Sequence, residues 1–186
     1  MTADLVTRAQ RGDQQAFGVL AERHYARLQR AAVGILRDPH VAEDATQNAL
    51  VSVWRDLPKL RDPARFEGWS YRLLVRACYA EAKRVPRTMG DDTMAVEEPT
   101  TGDAYGAVLH RDELERGFER LSIDHRAVIV LRHLLDLPVE QVAEALDIPI
   151  GTVKSRLNRA MEVLRSAIEA DARVPVGEVA GREVAR

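Results

Sequence analysis

Residues 138–164 read PVEQVAEALDIPIGTVKSRLNRAMEVL. Val139, Val142, Ala143 and Leu146 recur at helical spacing, and Val153, Leu157, Ala160 and Leu164 do so again after Asp147-Ile148. Two short amphipathic helices joined by a tight turn form a helix-turn-helix pattern. The second helix divides cleanly. Its apolar stripe occupies one face, Lys154, Ser155, Asn158 and Arg159 point away from it, and Arg156 flanks it. Arg and Lys reach guanine acceptors or phosphates, and Asn pairs with an adenine edge, so this face suits a major groove. Gly151 and Thr152 open the helix, where free N–H groups can meet a phosphate and glycine lets the backbone approach. The same pattern also describes an αα-hairpin with a solvated charged face. The lack of acids between Lys154 and Arg159 favours DNA.

Working outward, residues 113–170 read as one compact helical domain. Leu114, Phe118 and Leu121 mark a first helix. Ser122 caps a second, with Val128, Leu131, Leu134 and Leu135 as its core side, and Ile168 extends the stripe of the last helix. Ahead of it, residues 85–112 contain Pro86, Gly90, Pro99, Gly102 and Gly106 with little apolar periodicity, the composition of a flexible linker. Residues 1–84 form a second unit. Asp13 caps a helix running to about Leu36, with Phe17, Leu20, Ala21, Leu28, Ala31, Ala32 and Ile35 on its buried face. Asp38-Pro39 starts another, with stripe Ala42, Ala45, Thr46, Ala49, Val53 and Leu57. A further helix spans about Ala64 to Arg84 and packs through Leu73, Leu74, Ala77 and Cys78. Residues 171–186, with Pro175, Gly177 and Gly181, read as a disordered tail. The expected fold is all-α: two small helical domains joined by an acidic linker.

Composition agrees with that class. In 186 residues, 46% are apolar and 30% charged, ordinary values for a globular chain. No apolar run is long enough to span a membrane, and the N-terminus lacks the pattern of a signal peptide, so a cytoplasmic protein is expected. The single Cys78 excludes an internal disulfide framework. The net charge of −2 conceals an asymmetry. Residues 1–84 carry 14 Lys/Arg against 10 Asp/Glu, whereas residues 85–115 carry 2 against 8.

Two further faces stand out. Arg65, Arg72, Arg76, Tyr79 and Lys83 fall on one side of the 64–84 helix, with Trp69 nearby. A basic stripe with an aromatic can track a nucleic-acid backbone and stack on an unpaired base. A solvated helix face is the commoner meaning of such a run. On the 39–57 helix, Glu43, Asp44, Gln47 and Asn48 oppose the apolar stripe, as surface or as a protein-binding face. Catalysis has no visible constellation. The five histidines are scattered, and no metal, phosphate-loop or nucleophile motif occurs, so neither cofactor nor metal is implied. His24 reads as a histidine at the core edge and Cys78 as a small buried hydrophobe.

Taken in order, VAEDATQNALVSVW, FEGWSYRLLVRACYAEAKR and LSIDHRAVIVLRHLLDLPVEQVAEALDIPIGTVKSRLNRAMEVLR resemble the polymerase-binding helix, promoter-melting helix and C-terminal helix-turn-helix of the extracytoplasmic-function (ECF) group of bacterial sigma-70 factors. The resemblance covers about residues 4–84 and 112–169. It implies a dissociable subunit, without chemistry of its own, that binds core RNA polymerase and directs it to promoters. Asp44, Gln47, Asn48 and Trp54 match the helix that docks on the clamp of the largest subunit, and the C-terminal domain would meet the flap. The loop from Pro58 to Glu67, with Arg65, and then Trp69, Arg72, Arg76, Tyr79 and Lys83 match the part that reads and opens the −10 element. Gly151, Thr152, Lys154, Ser155, Arg156, Asn158 and Arg159 match the helix that reads the −35 element. An anti-sigma factor is the implied negative regulator, and the free chain is expected to be a monomer. Pro138 replaces the usual Ser or Thr cap, and Asp147 the usual glycine of the turn. Asp tolerates the left-handed conformation better than most residues.

The rival readings are a stand-alone helix-turn-helix regulator, which would bind a palindrome as a dimer without polymerase, and a polymerase or anti-sigma interaction protein that reads no DNA. The acidic linker carries its own hypothesis. Its charge, placed between two DNA-facing halves, suits basic polymerase channels as a nucleic-acid mimic. Neutralising Asp91, Asp92, Glu97 and Glu98 should weaken holoenzyme formation or change the yield of abortive transcripts. Unchanged values of both would sink the idea.

Overall fold

The computed structural model describes residues 2–84 and 114–171, and all regular structure among them is helical. The elements are α1 (Thr2–Gln10), α2 (Gln14–Leu36), α3 (Pro39–Asp56), short 3-10 turns at Leu57–Lys59 and Pro63–Arg65, and α4 (Phe66–Arg84). The second half holds α5 (residues 114–119), α6 (Ile123–Ile129), a π turn at Val130–Leu134, α7 (Val139–Leu146) and α8 (Ile150–Asp171). The expected linker and nearly all of the expected tail lie outside the described residues.

The boundaries follow from caps. Asp13 accepts a hydrogen bond from the Ala16 amide at 2.9 Å and Asp38 from those of His40 and Val41, satisfying donors that a helix start leaves free. Pro39 sits in the first turn of α3, where its missing N–H costs nothing. α2 ends at Arg37, whose left-handed backbone (φ 64°) returns its N–H to the Val33 carbonyl. The Ser122 hydroxyl accepts from the His125 amide at the start of α6.

α1 was not legible in the sequence. A nine-residue helix is marginal alone. Docking holds it: Val6 and Ala9 are buried with Leu20, Val53, Leu57 and Phe66, and the Gln10 amide donates to the Leu57 and Leu60 carbonyls. The expected helix from Ala64 begins with a 3-10 turn instead, because the Asp62 carboxylate caps the Ala64 amide before α4 proper starts at Phe66.

One expected core residue faces out. Leu134 is 49% exposed, while Leu135 is buried. The π turn explains the exchange. The Leu135 amide bonds the Val130 carbonyl five residues back at 3.0 Å, which inserts a residue into the turn and rotates the apolar phase.

The principal core is continuous across the two halves. Leu28, Ala31, Ile35, Tyr71, Leu74 and Cys78 belong to the same buried cluster as Val128, Leu131, Val142 and Val153. α4 packs along α7, and α2 along α6 and the π turn. The approach is closest at Gly34, where an added Cβ would lie 2.8 Å from Val130 Cγ2.

Cys78 is wholly buried in that core, and burial pushes its thiol pKa up to about 12. The thiolate is the reactive form. A thiol reagent at pH 8 should therefore leave the folded protein unlabelled and modify it at one site per chain in denaturant. Rapid labelling of the native protein would show that this core opens.

Candidate nucleic-acid interface

The helix-turn-helix is built by α7, the turn at Asp147 and α8. α7 starts at Pro138 without a side-chain cap. Asp147 adopts the left-handed conformation (φ 56°, ψ 46°) and returns its N–H to the Ala143 carbonyl, so Asp performs the usual task of glycine there. Val142, Ala143, Val153, Ala160 and Leu164 are buried. That burial fixes the orientation of α8 and leaves Gly151, Lys154, Ser155, Asn158 and Arg159 exposed, with Thr152 half-buried. Ser155 donates its hydroxyl to the Thr152 carbonyl at 3.0 Å. Lys154, Asn158 and Arg159 form no side-chain hydrogen bond or ion pair with another described residue. A Cβ at Gly151 would meet nothing within 4 Å, so the fold itself does not require glycine there. This end of α8 presents uncommitted donors on a rigid helix.

Arg156 is different. Its guanidinium pairs with the Asp124 carboxylate at 3.2 Å and its side chain is only 27% exposed.

The basic stripe of α4 is not a free surface. Arg65 donates to both carboxylate oxygens of Glu144 at 2.7 and 2.6 Å. Arg72 Nε donates to the Glu144 backbone carbonyl at 2.9 Å. Tyr79 is half-buried against the principal core and donates its hydroxyl to Asp124. Burial first, then that carboxylate, raises the phenol pKa, so Tyr79 stays a proton donor. Trp69 is half-buried beside Phe66, at 6.2 Å between ring centres. Arg76 and Lys83 point to solvent. The stripe anticipated from the sequence therefore divides: two residues are solvated, Trp69 packs internally, and three are bonded to the C-terminal half. Sequence reasoning missed Glu144 and Asp124 as partners, because they lie 79 and 45 positions from Arg65 and Tyr79. Arg27 was missed for the same reason. It pairs with Glu67 and donates to the Leu135 carbonyl across the halves at 2.8 Å.

The outer face of α3 carries exposed Glu43, Asp44, Gln47, Asn48, Val51 and Trp54. The Trp54 ring rests on Phe17 at 4.7 Å between centres and is 38% exposed, a held aromatic on an otherwise polar face. Gln47 reaches Glu43 at 3.3 Å. Asn48 is tied inward, its amide donating at 2.9 Å to Glu81, whose carboxylate is nearly buried and also paired with Arg84. His24 lies edge-on to Phe66 at 5.2 Å, and burial lowers its pKa, as suits a histidine at the core edge. Among the described residues, no cluster of side chains could hold a metal ion, and no helix is long and apolar enough to cross a membrane.

With this geometry in hand, comparisons with known proteins agree. Residues 20–88 match the family model for sigma-70 region 2, and residues 111–164 that for sigma-70 region 4. The ECF RNA polymerase sigma-E factor of Escherichia coli K12 is 30% identical over 178 residues, which cover 89% of this chain and 93% of the relative. The RNA polymerase sigma-H factor of Pseudomonas aeruginosa is 28% identical over 178 residues, covering 89% and 92%. Among solved structures, CnrH in complex with the cytosolic domain of CnrY matches with a TM-score of 0.69 at 24% identity, over 91% of this chain and 98% of that one. The sigma factor RpoE in complex with the anti-sigma factor NepR, from Bartonella quintana, matches with a TM-score of 0.69 at 20% identity, over 83% and 98%. These structural likenesses concern the fold.

The Asn48–Glu81 bond assigns Asn48 a structural part beside any docking role. Asn48→Ala should lower stability by about 1 kcal/mol in a denaturant titration, because a nearly buried carboxylate loses a donor. Gln47→Ala, one position earlier on the solvated face, should stay within about 0.5 kcal/mol of the parent. Equal stability of both variants would free Asn48 from that part.

Proposed function

Because the chain belongs to the sigma-70 family, among its ECF RNA polymerase sigma factors, we propose that it binds core RNA polymerase and directs it to a particular class of promoters. One observation carries the reading of DNA: α8 buries Val153, Ala160 and Leu164 on one face and holds Lys154, Asn158 and Arg159 uncommitted on the other. Gly151, Thr152, Lys154, Ser155, Arg156, Asn158 and Arg159 would meet the −35 element, the long side chains at base edges and phosphates, the helix start at a phosphate.

In this reading residues 1–84 and 113–170 act as two modules. The first binds polymerase through Asp44, Gln47, Asn48 and Trp54 on the outer face of α3. It reads and opens the −10 element through Arg65, Trp69, Arg72, Arg76, Tyr79 and Lys83. The rigid Trp54–Phe17 pair supports α3 as a docking surface, since an aromatic held in place loses little entropy on binding. The polymerase supplies all catalysis, and the protein acts in the cytoplasm. An anti-sigma factor is the proposed negative partner. The sigma factor RpoE is seen bound to the anti-sigma factor NepR, and CnrH to the cytosolic domain of CnrY.

Run-off transcription with purified core polymerase on a randomised promoter library tests this. The chain should select transcripts whose templates share two spaced motifs. Lys154→Ala with Arg159→Ala should reduce selection at the upstream motif at least tenfold while core binding, read by co-migration with polymerase, stays unchanged. Polymerase-independent binding to a palindrome, with no dependent transcripts, would establish the stand-alone regulator instead.

A further inference from the structure

The π turn that takes Leu134 out of the core leaves it in a groove. Leu114 and Phe118 of α5, Ile129 of α6, Leu134, and Met161 and Leu164 of α8 line an open space of about 650 Å³. Leu114, Leu134 and Met161 are all exposed, so three large apolar side chains meet water in one place. An inserted residue of this kind is frequently kept for a function rather than for packing.

Arg37, at the end of α2, lines the same groove, and its guanidinium lies 5.9 Å from the centre of the Phe118 ring. Its Nε is buried without a hydrogen-bond partner, and among the described residues no carboxylate pairs with it. Arg126 adds like charge: burial, and then Arg37, lowers its pKa. A desolvated guanidinium without a counter-charge favours any carboxylate that can approach it. The groove therefore fits an apolar segment that bears an isolated acid.

The chain itself contains one. Residues 174–181 read VPVGEVAG, with Val174, Val176 and Val179 as the large apolar side chains and Glu178 as the sole charge. The segment follows α8, the helix that places Met161 and Leu164 on the groove and ends at Asp171. From Leu164 to Asp171 the helix rises about 10 Å, whereas five extended residues from Asp171 to Val176 span about 17 Å, so the chain is long enough to return. Pro175 disfavours helix at Val174 and so favours departure from the axis of α8.

We propose that residues 174–181 fold back along α8 and occupy this groove, with the valines on its apolar side chains and Glu178 on Arg37, so that the chain carries its own ligand for this face. A partner that docks here must displace that segment. The tether makes a weak contact sufficient: at an effective concentration of about 1 mM, a segment whose free peptide binds with a Kd of about 0.1 mM fills its site roughly nine-tenths of the time. The inference does not depend on the proposed function, and its test needs neither polymerase nor DNA.

Methionine methyl groups labelled with 13C report on the groove in the full chain. Of Met1, Met89, Met94 and Met161, it is Met161 that lines the groove, and Met161→Leu identifies its signal. A nitroxide on Ala180→Cys supplies the proximity probe, since the native Cys78 is buried and stays unlabelled. The nitroxide should reduce the Met161 signal at least threefold in dilute protein. Adding Val176→Asp and Glu178→Lys to the labelled chain should restore it. A chain ending at Asp171 should show a shifted Met161 signal, and a synthetic peptide of residues 172–186 at millimolar concentration should move it back. A Met161 signal unmoved by the truncation, or undiminished beside the nitroxide, overturns the proposal and leaves the groove to a partner protein. Broadening that appears when a nitroxide-bearing chain is mixed with a separate 13C-labelled one, and grows with concentration, overturns it in favour of a contact between two copies.

Discussion

The packing of α2 and α4 of the first half against α6, the π turn and α7 of the second is the contact on which the rest of the arrangement depends. It joins apolar residues from both halves into one core. Its geometry is set at a point where only a glycine fits, since a side chain at position 34 would collide with Val130. A small residue at a helix crossing lets two backbones approach and so defines which faces meet. Once α2 lies against the π turn, the register of Arg27 with Leu135, of Arg72 with Glu144 and of Tyr79 with Asp124 follows.

Polar groups along this seam pair side chains of the first half with groups of the second. Among the described residues, the Arg37 and Arg126 Nε atoms are buried without a hydrogen-bond partner. A carboxylate and a DNA phosphodiester each present one negative charge over two oxygens, so a guanidinium can bond either. On α8, Lys154, Asn158 and Arg159 are exposed, whereas Arg156, nearer the apolar stripe, pairs with Asp124.

Much of the fold was legible by eye because it rests on local chemistry. Asp13, Asp38 and Ser122 cap the helices they were expected to cap, and the spacing of Leu20, Leu28, Ala31 and Ile35 marks a buried face whatever lies against it. Elements whose stability is tertiary were not legible. α1 exists because Val6 and Ala9 find a groove, and the π turn exists because the chain must bring Leu135 rather than Leu134 into the core. Neither leaves a periodic signal, since nine residues are too few to carry one and an inserted residue breaks the period it would be read from.

By itself the sequence determined the helical class, the order of the elements and the α8 face that bears Lys154, Asn158 and Arg159, together with the family those motifs resemble. Each depends on residues within a few helical turns of one another. Only the tertiary structure decided that Arg65, Arg72 and Tyr79 are bonded partners of the C-terminal half, that Asn48 supports a nearly buried Glu81, and that the halves share one core. A helical wheel shows which side a residue lies on, but not which distant carboxylate will stand opposite it. That pairing is a property of two surfaces brought together by apolar contact.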